Sequence, residues 1–321
     1  NGEEKVIGKY VNELMEKNKE RIISGKDCLI LSTKDLDIEM LTTDWEKIHR
    51  TKINRVSKHI AEDHFVKITL KNGRSVTVTP EHPFFYIEKG KILTKRADTM
   101  SVNDWVPIPL TVPIEGTKQF FKINKDKIYN PRSVLHIKVP TSNCKEFFKI
   151  MGYLVSEGSR EVNRGKLIGV NFTNKDNVLL EDFCQSMKVV FDLKPYKQAR
   201  LDEHDVRWML RYTSRELASF FGRVCPGVLE KSNAKELPQV VMRGEKENIA
   251  AMLTCMFEGD GHVSKKLRTI RIGYGTNSKR LAEQTQDLLL RFSIRSNLTV
   301  YKDTYKVSIT GYKNILRFRE N

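Results

Sequence analysis

Residues 142–321 contain an internal repeat, which constrains the fold more than any other feature of the sequence. Judged from apolar spacing, each copy has a helix, a strand, an amphipathic helix and a further strand. These segments are 144–155, 167–172, 178–191 and 206–212 in the first copy and 248–257, 269–274, 281–292 and 305–310 in the second. With the intervening strands, the order becomes helix–strand–strand–helix–strand–strand–helix. Two copies predict a pseudo-dimer within one chain, suited to a partner with approximate two-fold symmetry.

A short polar motif after the first strand aligns the two copies. It starts at Thr173, sixteen residues after Glu157, and again at Thr276, sixteen residues after Asp260. On this alignment the first repeat is residues 142–240, and the second is residues 241–321.

The first helix of each copy ends in an acidic residue followed by glycine, Glu157-Gly158 and Asp260-Gly261. A carboxylate in the last turn faces the negative pole of the helix dipole, which costs about 0.3–1 kcal/mol. Small residues four apart would let these two helices approach closely and bring the acids together. They are Gly152 and Ser156 in the first helix and Cys255 and Gly259 in the second.

A divalent cation would relieve the repulsion between two such acids. Mg²⁺ binds one or two carboxylates and completes its shell with water and phosphate oxygens. A single helix ending in Glu-Gly is usually only a capped helix. Two such ends at the same place in a repeat predict a metal site for phosphodiester hydrolysis.

The net charge of +16 is concentrated in the same part of the chain. Residues 1–110 carry a net charge of +2, and residues 111–321 carry +14. This asymmetry indicates a polyanion-binding domain joined to a near-neutral one, although a solvated basic surface is equally compatible with it.

Segments 150–158 and 253–261 resemble the LAGLIDADG signature of homing endonucleases, with Glu157 and Asp260 at the catalytic, metal-binding acids. Cys255 replaces the first glycine of the second signature. The resemblance implies a pseudo-two-fold αββαββα fold, Mg²⁺ as cofactor and site-specific hydrolysis of double-stranded DNA. It also implies a monomer whose strands lie in the major groove of a long, asymmetric site.

Lys235 begins the segment Lys-Glu-Leu-Pro before the second signature. This segment resembles the block that precedes the same signature in intein endonucleases. The resemblance places Lys235 near the scissile phosphate, as a charge stabiliser or a positioner of water. A solvent-exposed lysine ahead of a helix is the alternative interpretation.

Side chains alternate across a strand, so only every second strand residue can face DNA. Asn and Arg can pair with adenine and guanine, whereas most lysines meet phosphate. The predicted DNA contacts in strands and turns are Arg164, Lys166, Asn171, Asn174, Lys175, Arg268, Arg271, Asn277 and Lys279.

Residues 1–110 are predicted to form a β-rich domain. Alternating runs at 65–70 and 74–79 flank Lys71-Asn-Gly, which is typical of a hairpin. Thr79 and His82 follow the second run and resemble the intein block that binds and polarises the upstream splice junction. A structural histidine is the alternative. The predicted class is therefore α+β, a Hint-like domain followed by the LAGLIDADG endonuclease domain at 142–321.

The segment 111–141 is predicted to be a basic linker or an accessory DNA-contacting segment. An intein begins with Cys or Ser and ends in His-Asn, whereas this sequence begins Asn1-Gly2 and ends Glu320-Asn321. We therefore expect the Hint domain to be incomplete at both ends, so that these residues alone would not splice.

Composition bounds the remaining functional classes. The cysteines at 28, 144, 184, 225 and 255 form no CxxC pair, which predicts free thiols and a cytoplasmic protein. No run of about 18 apolar residues is present, so no membrane partner is expected. Two alternatives stay open: a LAGLIDADG protein that binds DNA or structured RNA without cutting, and a splicing module whose nuclease is inactive.

Overall fold

The computed structural model describes residues 2–60, 62–133, 135–201, 206–266 and 269–321. They form two compact units. The smaller unit is Glu4–Pro113, and the larger is Ile114–Asn321 together with the residues up to Glu3. None of the described helices combines the length and the hydropathy that a bilayer crossing requires.

The smaller unit is β-rich, as predicted. It contains α1 (Ile7–Lys17), β1 (Ile22–Ser24), β2 (Cys28–Ser32), β3 (Glu39–Thr43), β4 (Ile48–Lys52), β5 (Arg55–His59), β6 (Val66–Thr69), β7 (Ser75–Val78), β8 (Pro83–Glu88) and β9 (Lys91–Arg96). Strands β1, β2 and β5 form one sheet, and β3-β4, β6-β7 and β8-β9 are hairpins. The β6-β7 hairpin is the one predicted from Lys71-Asn-Gly, and Gly73 adopts the positive φ of 84° that its turn requires.

The larger unit contains the predicted repeat. The elements of the first copy are α2 (Lys145–Ser156), β10 (Gly158–Asn163), β11 (Lys166–Asn174), α3 (Asn177–Phe191), β12 (Tyr196–Leu201), β13 (Val206–Thr213) and α4 (Arg215–Val224). After the short helix α5 (Gln239–Met242), those of the second are α6 (Lys246–Asp260), β14 (Gly261–Lys266), β15 (Thr269–Thr276), α7 (Lys279–Arg291), β16 (Ser296–Tyr301), β17 (Thr304–Thr310) and α8 (Tyr312–Glu320). The sheets have the same order, β10-β11-β13-β12 and β14-β15-β17-β16. The predicted α+β class and pseudo-two-fold αββαββα arrangement are confirmed.

One face of each sheet packs into the core of the larger unit. Val170 and Phe172 in the first sheet and Tyr274 and Val307 in the second are fully buried. Because side chains alternate along a strand, the residues next to these four in each strand lie on the opposite face of the sheet. We call that opposite face of the two sheets the outer face.

A β-bulge corrects the alignment of the repeats. Glu161 pairs with Gly169 and Val162 with Leu167, so Ile168 is an extra residue in β11. The second sheet pairs Ser264 with Arg271 and Lys265 with Ile270, without such a residue. Beyond the bulge, therefore, Asn174 is equivalent to Thr276, one residue away from the sixteen-residue alignment. Both side chains accept the backbone N–H two residues later, at the start of the following helix.

Residues 114–141 belong to the larger unit and are held there by a buried acid. Glu216 in α4 is 3% exposed and accepts the backbone N–H groups of Asn130 and Ile137, both at 3.0 Å. His136 Nδ1 lies 2.8 Å from the same carboxylate. Burial alone would raise the pKa of Glu216, but these three partners outweigh it and lower the pKa.

Candidate active site and sheet surface

Helices α2 and α6 pack with their backbones in close approach. A Cβ atom at Gly152 would lie 2.4 Å from the carbonyl oxygen of Met252 and 2.8 Å from Cys255 Cβ. One at Gly259 would lie 2.5 Å from Ser156 Oγ. The small residues predicted to form the helix contact therefore do so, and the cysteine fits at its position.

The two acids lie at adjacent ends of this helix pair. Glu157 is the C-cap of α2, and Asp260 is the last residue of α6. The following glycines are needed for space and not for a left-handed backbone, since Gly261 has a φ of −83°. A Cβ there would lie 2.1 Å from the carbonyl oxygen of Phe257, and one at Gly158 would lie 2.5 Å from Leu154 Cα.

The carboxyl group of Glu157 is half-buried and strongly constrained. Burial raises its pKa, and the charge of Asp260 raises it further. Two groups act in the opposite direction: Asn174 Nδ2 donates a 2.5 Å hydrogen bond to Oε2, and the charge of Arg207 favours ionisation. Asn174, which was predicted as a DNA contact, is only 7% exposed and holds this carboxylate.

Asp260 has a different environment. Asp260 as a whole is exposed to solvent, but partial burial of its carboxyl group raises the pKa of that group. The charge of Lys235 opposes this shift. The repeat equivalent of Asn174 is Thr276, which has no amide to donate. The two acids are therefore supported asymmetrically.

The side chain of Lys235 contacts the C-terminal end of α2, and the residue is 7% exposed. Its Nζ donates to the carbonyl oxygens of Leu154 at 2.8 Å, Val155 at 3.1 Å and Gly158 at 3.0 Å. Burial lowers its pKa to about 8, while the charge of Asp260 raises it. An ammonium group has three donors, so all are used by the backbone next to Glu157. The solvent-exposed interpretation of this lysine is wrong.

The other predicted DNA contacts occupy several environments. Arg271 and Asn171 lie on the outer face. Lys166 pairs with Asn163 beyond the bulge, which places Lys166 on the outer face as well, together with Glu161. Asn171 is 6% exposed and donates to Glu161. Those in turns or at helix starts are Arg164, Lys175, Asn277 and Lys279. Arg268 lies outside the described residues.

Of these turn and helix-start residues, two have side-chain partners within the second repeat. Asn277 Oδ1 accepts a 3.3 Å hydrogen bond from Thr304 Oγ1, and Lys279 Nζ lies 3.4 Å from Glu283. Among the described residues, the predicted DNA contacts therefore divide between the outer face and the turns or helix starts.

Sequence reasoning missed the basic residues of β13. Arg207 and Arg211 alternate with Trp208, Leu210 and Tyr212, so they lie on the outer face. The alternation in Val-Arg-Trp-Met-Leu-Arg-Tyr-Thr was a signal that could have found them. In the second sheet His262 and Lys306 lie on the equivalent face.

Thr79 and His82 form a separate candidate site within the smaller unit. They belong to a turn in which His82 N–H donates to the carbonyl of Thr79 at 3.1 Å. The carbonyl of His82 accepts from Ala97 N–H at 2.9 Å, and that of Pro80 from Asp98 N–H at 3.0 Å. The turn therefore packs on the short 3-10 helix Ala97–Thr99, with the His82 side chain exposed.

Comparison with protein families gives a match in the second repeat. Residues 247–321 match the family model described as LAGLIDADG-like domain. The matched region contains Asp260 and the second sheet.

Two relatives from Methanocaldococcus jannaschii match almost the whole chain. DNA-directed RNA polymerase subunit Rpo1C is 25% identical over 326 residues, covering 98% of this chain and 36% of the relative. Replication factor C small subunit is 25% identical over 335 residues, covering 100% of this chain and 15% of the relative. The chain thus spans about a third or less of the length of these curated relatives.

Among solved structures, the chain is similar to the crystal structure of I-DmoI in complex with DNA and Mn. The TM-score is 0.40 at 15% sequence identity, with 55% of this chain and 94% of that chain covered.

Proposed function

We propose that this chain is a divalent-metal-dependent, site-specific endonuclease for double-stranded DNA, carried within an intein. The observation that carries the proposal is the pairing of Glu157 and Asp260 at adjacent ends of two tightly packed helices. The charge of Asp260 raises the pKa of Glu157, so the two acids destabilise each other when ionised. The LAGLIDADG-like match over residues 247–321 supports the same function.

The donor set fits a hard divalent cation such as Mg²⁺. Glu157 and Asp260 offer carboxylate oxygens, and a cation would remove the repulsion between them. Among the residues that the structure describes, no group of three or more His, Cys, Asp and Glu side chains is arranged to hold a metal. Water and phosphate oxygens would therefore complete the shell, as Mg²⁺ commonly requires. The chemistry supplied by the bound cation is activation of a water molecule and neutralisation of charge on the cleaved phosphate.

The protein's own residues orient the acids. Asn174 fixes one oxygen of Glu157, which leaves the other available as a ligand. Lys235 holds the carbonyl groups around the end of α2 and places a positive charge near Asp260. Lys235 thus acts through the position of the helix end, and Arg207 adds positive charge beside Glu157.

The outer face of the two sheets is the proposed DNA surface. It carries Arg211, Arg271 and Arg207, whose charge acts on Glu157, within the region of net charge +14. Basic residues on a twisted two-sheet surface suit the phosphates and base edges of a major groove. Two non-identical halves suit a long asymmetric site bound by a monomer.

The proposed intein origin rests on the smaller unit and on the relatives. Thr79 and His82, which resemble the Hint block, lie in a turn that packs on the short 3-10 helix Ala97–Thr99. The two relatives are named as functionally unrelated proteins, and the match covers only a minor part of the length of each relative. An inserted module would produce that pattern. The free thiols of all five cysteines support a cytoplasmic site of action.

The test is cleavage of a duplex carrying the intein-free host gene. We expect Mg²⁺-dependent cutting by the wild type and strong loss in Glu157→Gln and Asp260→Asn. Glu258→Gln is the matched control, because this acid lies two residues before Asp260 and is exposed. Undiminished cutting by both acid variants would exclude the proposed site.

The alternatives predict other outcomes. Specific binding without nicking in any divalent metal would favour a LAGLIDADG protein that binds nucleic acid without cutting. Splicing is tested in a precursor containing the complete intein between its host segments, where His82→Ala should abolish it. Splicing together with an inert nuclease would favour the module with a decayed endonuclease.

A further inference from the structure

An acidic residue, Glu161, lies beside basic residues on the outer face of the first sheet. Glu161 in β10 forms an ion pair with Nη2 of Arg211 in β13. Asn171, on the strand between them, donates its Nδ2 to the other oxygen of Glu161 at 2.7 Å. We call Glu161, Asn171 and Arg211 the outer-face triad.

The second sheet has no equivalent of this triad. Counting from the glycine that starts β10 and β14, Glu161 corresponds to Ser264. Asn171 pairs with Ser159 and Arg211, whereas Gly273 pairs with His262 and Ser308. The corresponding residues are therefore Ser264, Gly273 and Ser308. The repeat folds without the triad, so the αββαββα architecture does not require it.

The triad is also an unfavourable choice for stability alone. The Glu161 side chain is 12% exposed and Asn171 is 6% exposed. Asn171 Oδ1 is buried without a hydrogen-bond partner among the described residues. Buried polar groups left without partners destabilise a fold, and the residues kept in such positions often serve a site.

Arg211 keeps donors for a further partner. Its side chain is 36% exposed, whereas Glu161 below it is mostly covered. A carboxylate can engage two of the five N–H donors of a guanidinium group, so others remain directed elsewhere. Pairing with Glu161 fixes the plane of the Arg211 guanidinium group and neutralises the positive charge of that group. Such a group contributes little to sequence-independent phosphate attraction and much to directional recognition.

We propose that the outer-face triad reads a guanine in the major groove of the half-site bound by the first repeat. Arg211 donates to O6 and N7 of the base, while Glu161 and Asn171 hold its guanidinium in the orientation for that contact. Because Ser264, Gly273 and Ser308 replace the triad in the second repeat, the other half-site carries no matching requirement. This inference rests on the proposed function, since it assigns sequence discrimination to the proposed DNA surface.

The experiment selects bound duplexes from a pool randomised across the site, with no divalent cation added. The wild type should enrich a G·C pair at one position of a single half-site. Arg211→Ala should reduce the preference there by about 5- to 150-fold, as expected for loss of one bidentate contact. Arg211→Lys keeps the positive charge but loses the paired N–H donors of the guanidinium group. This variant and Glu161→Gln should weaken the base preference at the same position only.

Arg160→Ala is the matched control. Arg160 belongs to the same sheet, is 35% exposed and pairs with Glu230 at 3.6 Å, but it lies on the opposite face. This variant should keep every base preference. If the wild type selects a site and the Arg211 variants keep all its preferences, the triad assignment is overturned and the proposed function stands. If the wild type selects no duplex, both are overturned. Thermal unfolding identifies a misfolded Arg211→Ala variant, in which case Arg211→Lys decides.

Discussion

At the scale of single residues, the two candidate acids depend on unlike neighbours. Glu157 is held by an amide, Asn174, and Asp260 is balanced by an ammonium group, Lys235. The sequence predicted both acids from their place before glycine. It could not predict the role of Asn174, since that role depends on how β11 returns beside the end of α2.

Replacing Asn174 tests whether this amide orients the acid. Asn174→Ala removes the hydrogen bond to Oε2, so Glu157 should adopt several orientations. We expect about a 10- to 100-fold loss in metal affinity or cleavage rate, typical of groups that orient metal ligands. The measurement is duplex cleavage as a function of Mg²⁺ concentration.

Asn277→Ala is the control for this variant. Asn277 is the residue that the sixteen-residue alignment pairs with Asn174, yet its partner is Thr304 and it is exposed. Its replacement should leave the Mg²⁺ concentration needed for half-maximal cleavage unchanged. An equal loss in the two variants would mean that the amide of Asn174 does not act through Glu157.

Replacing Lys235 separates a structural from a purely catalytic role. Lys235→Met leaves three carbonyl groups at the end of α2 without their donor, and we expect a loss of about 1–3 kcal/mol in the free energy of unfolding. The measurement is chemical denaturation without DNA or metal, with the exposed Lys231→Met as control. Lost cleavage with unchanged stability would show that Lys235 does not hold the helix end.

At the scale of the elements, the helix pair was the most predictable part of the site. The small residues of α2 and α6 are visible in the sequence at a spacing of four, and their contact is confirmed. The sequence shows a glycine directly after each acid, and Gly261 is the C-cap of α6. Gly158 and Gly261 leave space where a strand starts against the last helical turn, a close approach that residue spacing does not reveal.

Adding one methyl group tests the helix contact. Gly152→Ala would place Cβ against the carbonyl of Met252, so the helices must move apart at a cost of about 1–3 kcal/mol. Gly222→Ala is the matched control, because Gly222 lies in α4 with nothing within 4 Å of its Cβ position. It should stabilise the protein by up to about 1 kcal/mol. Equal effects on thermal unfolding would contradict the close packing.

The attachment of residues 114–141 predicts a dependence on pH. The pKa of Glu216 is lowered from its ordinary value of 4.5, so its contribution to stability is present above that value. The contribution is lost as the pH falls through the folded-state pKa. Glu216→Gln should therefore cost about 1–3 kcal/mol near neutral pH, and less in acid, where the wild-type carboxyl is protonated.

Denaturation at the two pH values measures this difference. Glu115→Gln is the control, since Glu115 is mostly exposed and its partner Lys246 is 3.8 Å away. Its effect should be small at both pH values. A Glu216→Gln effect that did not change with pH would show that the charge of this group does not hold the segment. This attachment was not predictable from the sequence, because Glu216 lies 86 and 79 residues from the N–H groups it binds.

At the scale of the whole molecule, the repeat was predicted and its register was not. The α+β class and the order of elements follow from apolar spacing and are confirmed. The bulge at Ile168 leaves no motif in the sequence, so the Thr-Asn match was off by one residue. The two repeats differ at the candidate acid site, where Asn174 corresponds to Thr276. They also differ on the outer face, where small residues of the second repeat replace the outer-face triad. Such differences suit a single chain with one asymmetric target.

The division into two units predicts that DNA binding belongs to the larger one. Residues 114–321 contain the repeat and its continuous core, and the net charge of +14 lies within residues 111–321. In the described part of the smaller unit, the buried apolar residues are only Met15, Leu31, Pro80 and Ala97. A fragment of residues 114–321 should therefore unfold cooperatively and bind the selected duplex with the affinity and salt dependence of the full chain. Calorimetry and binding titrations at several salt concentrations provide the measurement. A fragment that folds but loses more than about tenfold in affinity, or has a shallower salt dependence, would place essential DNA contacts in residues 4–113.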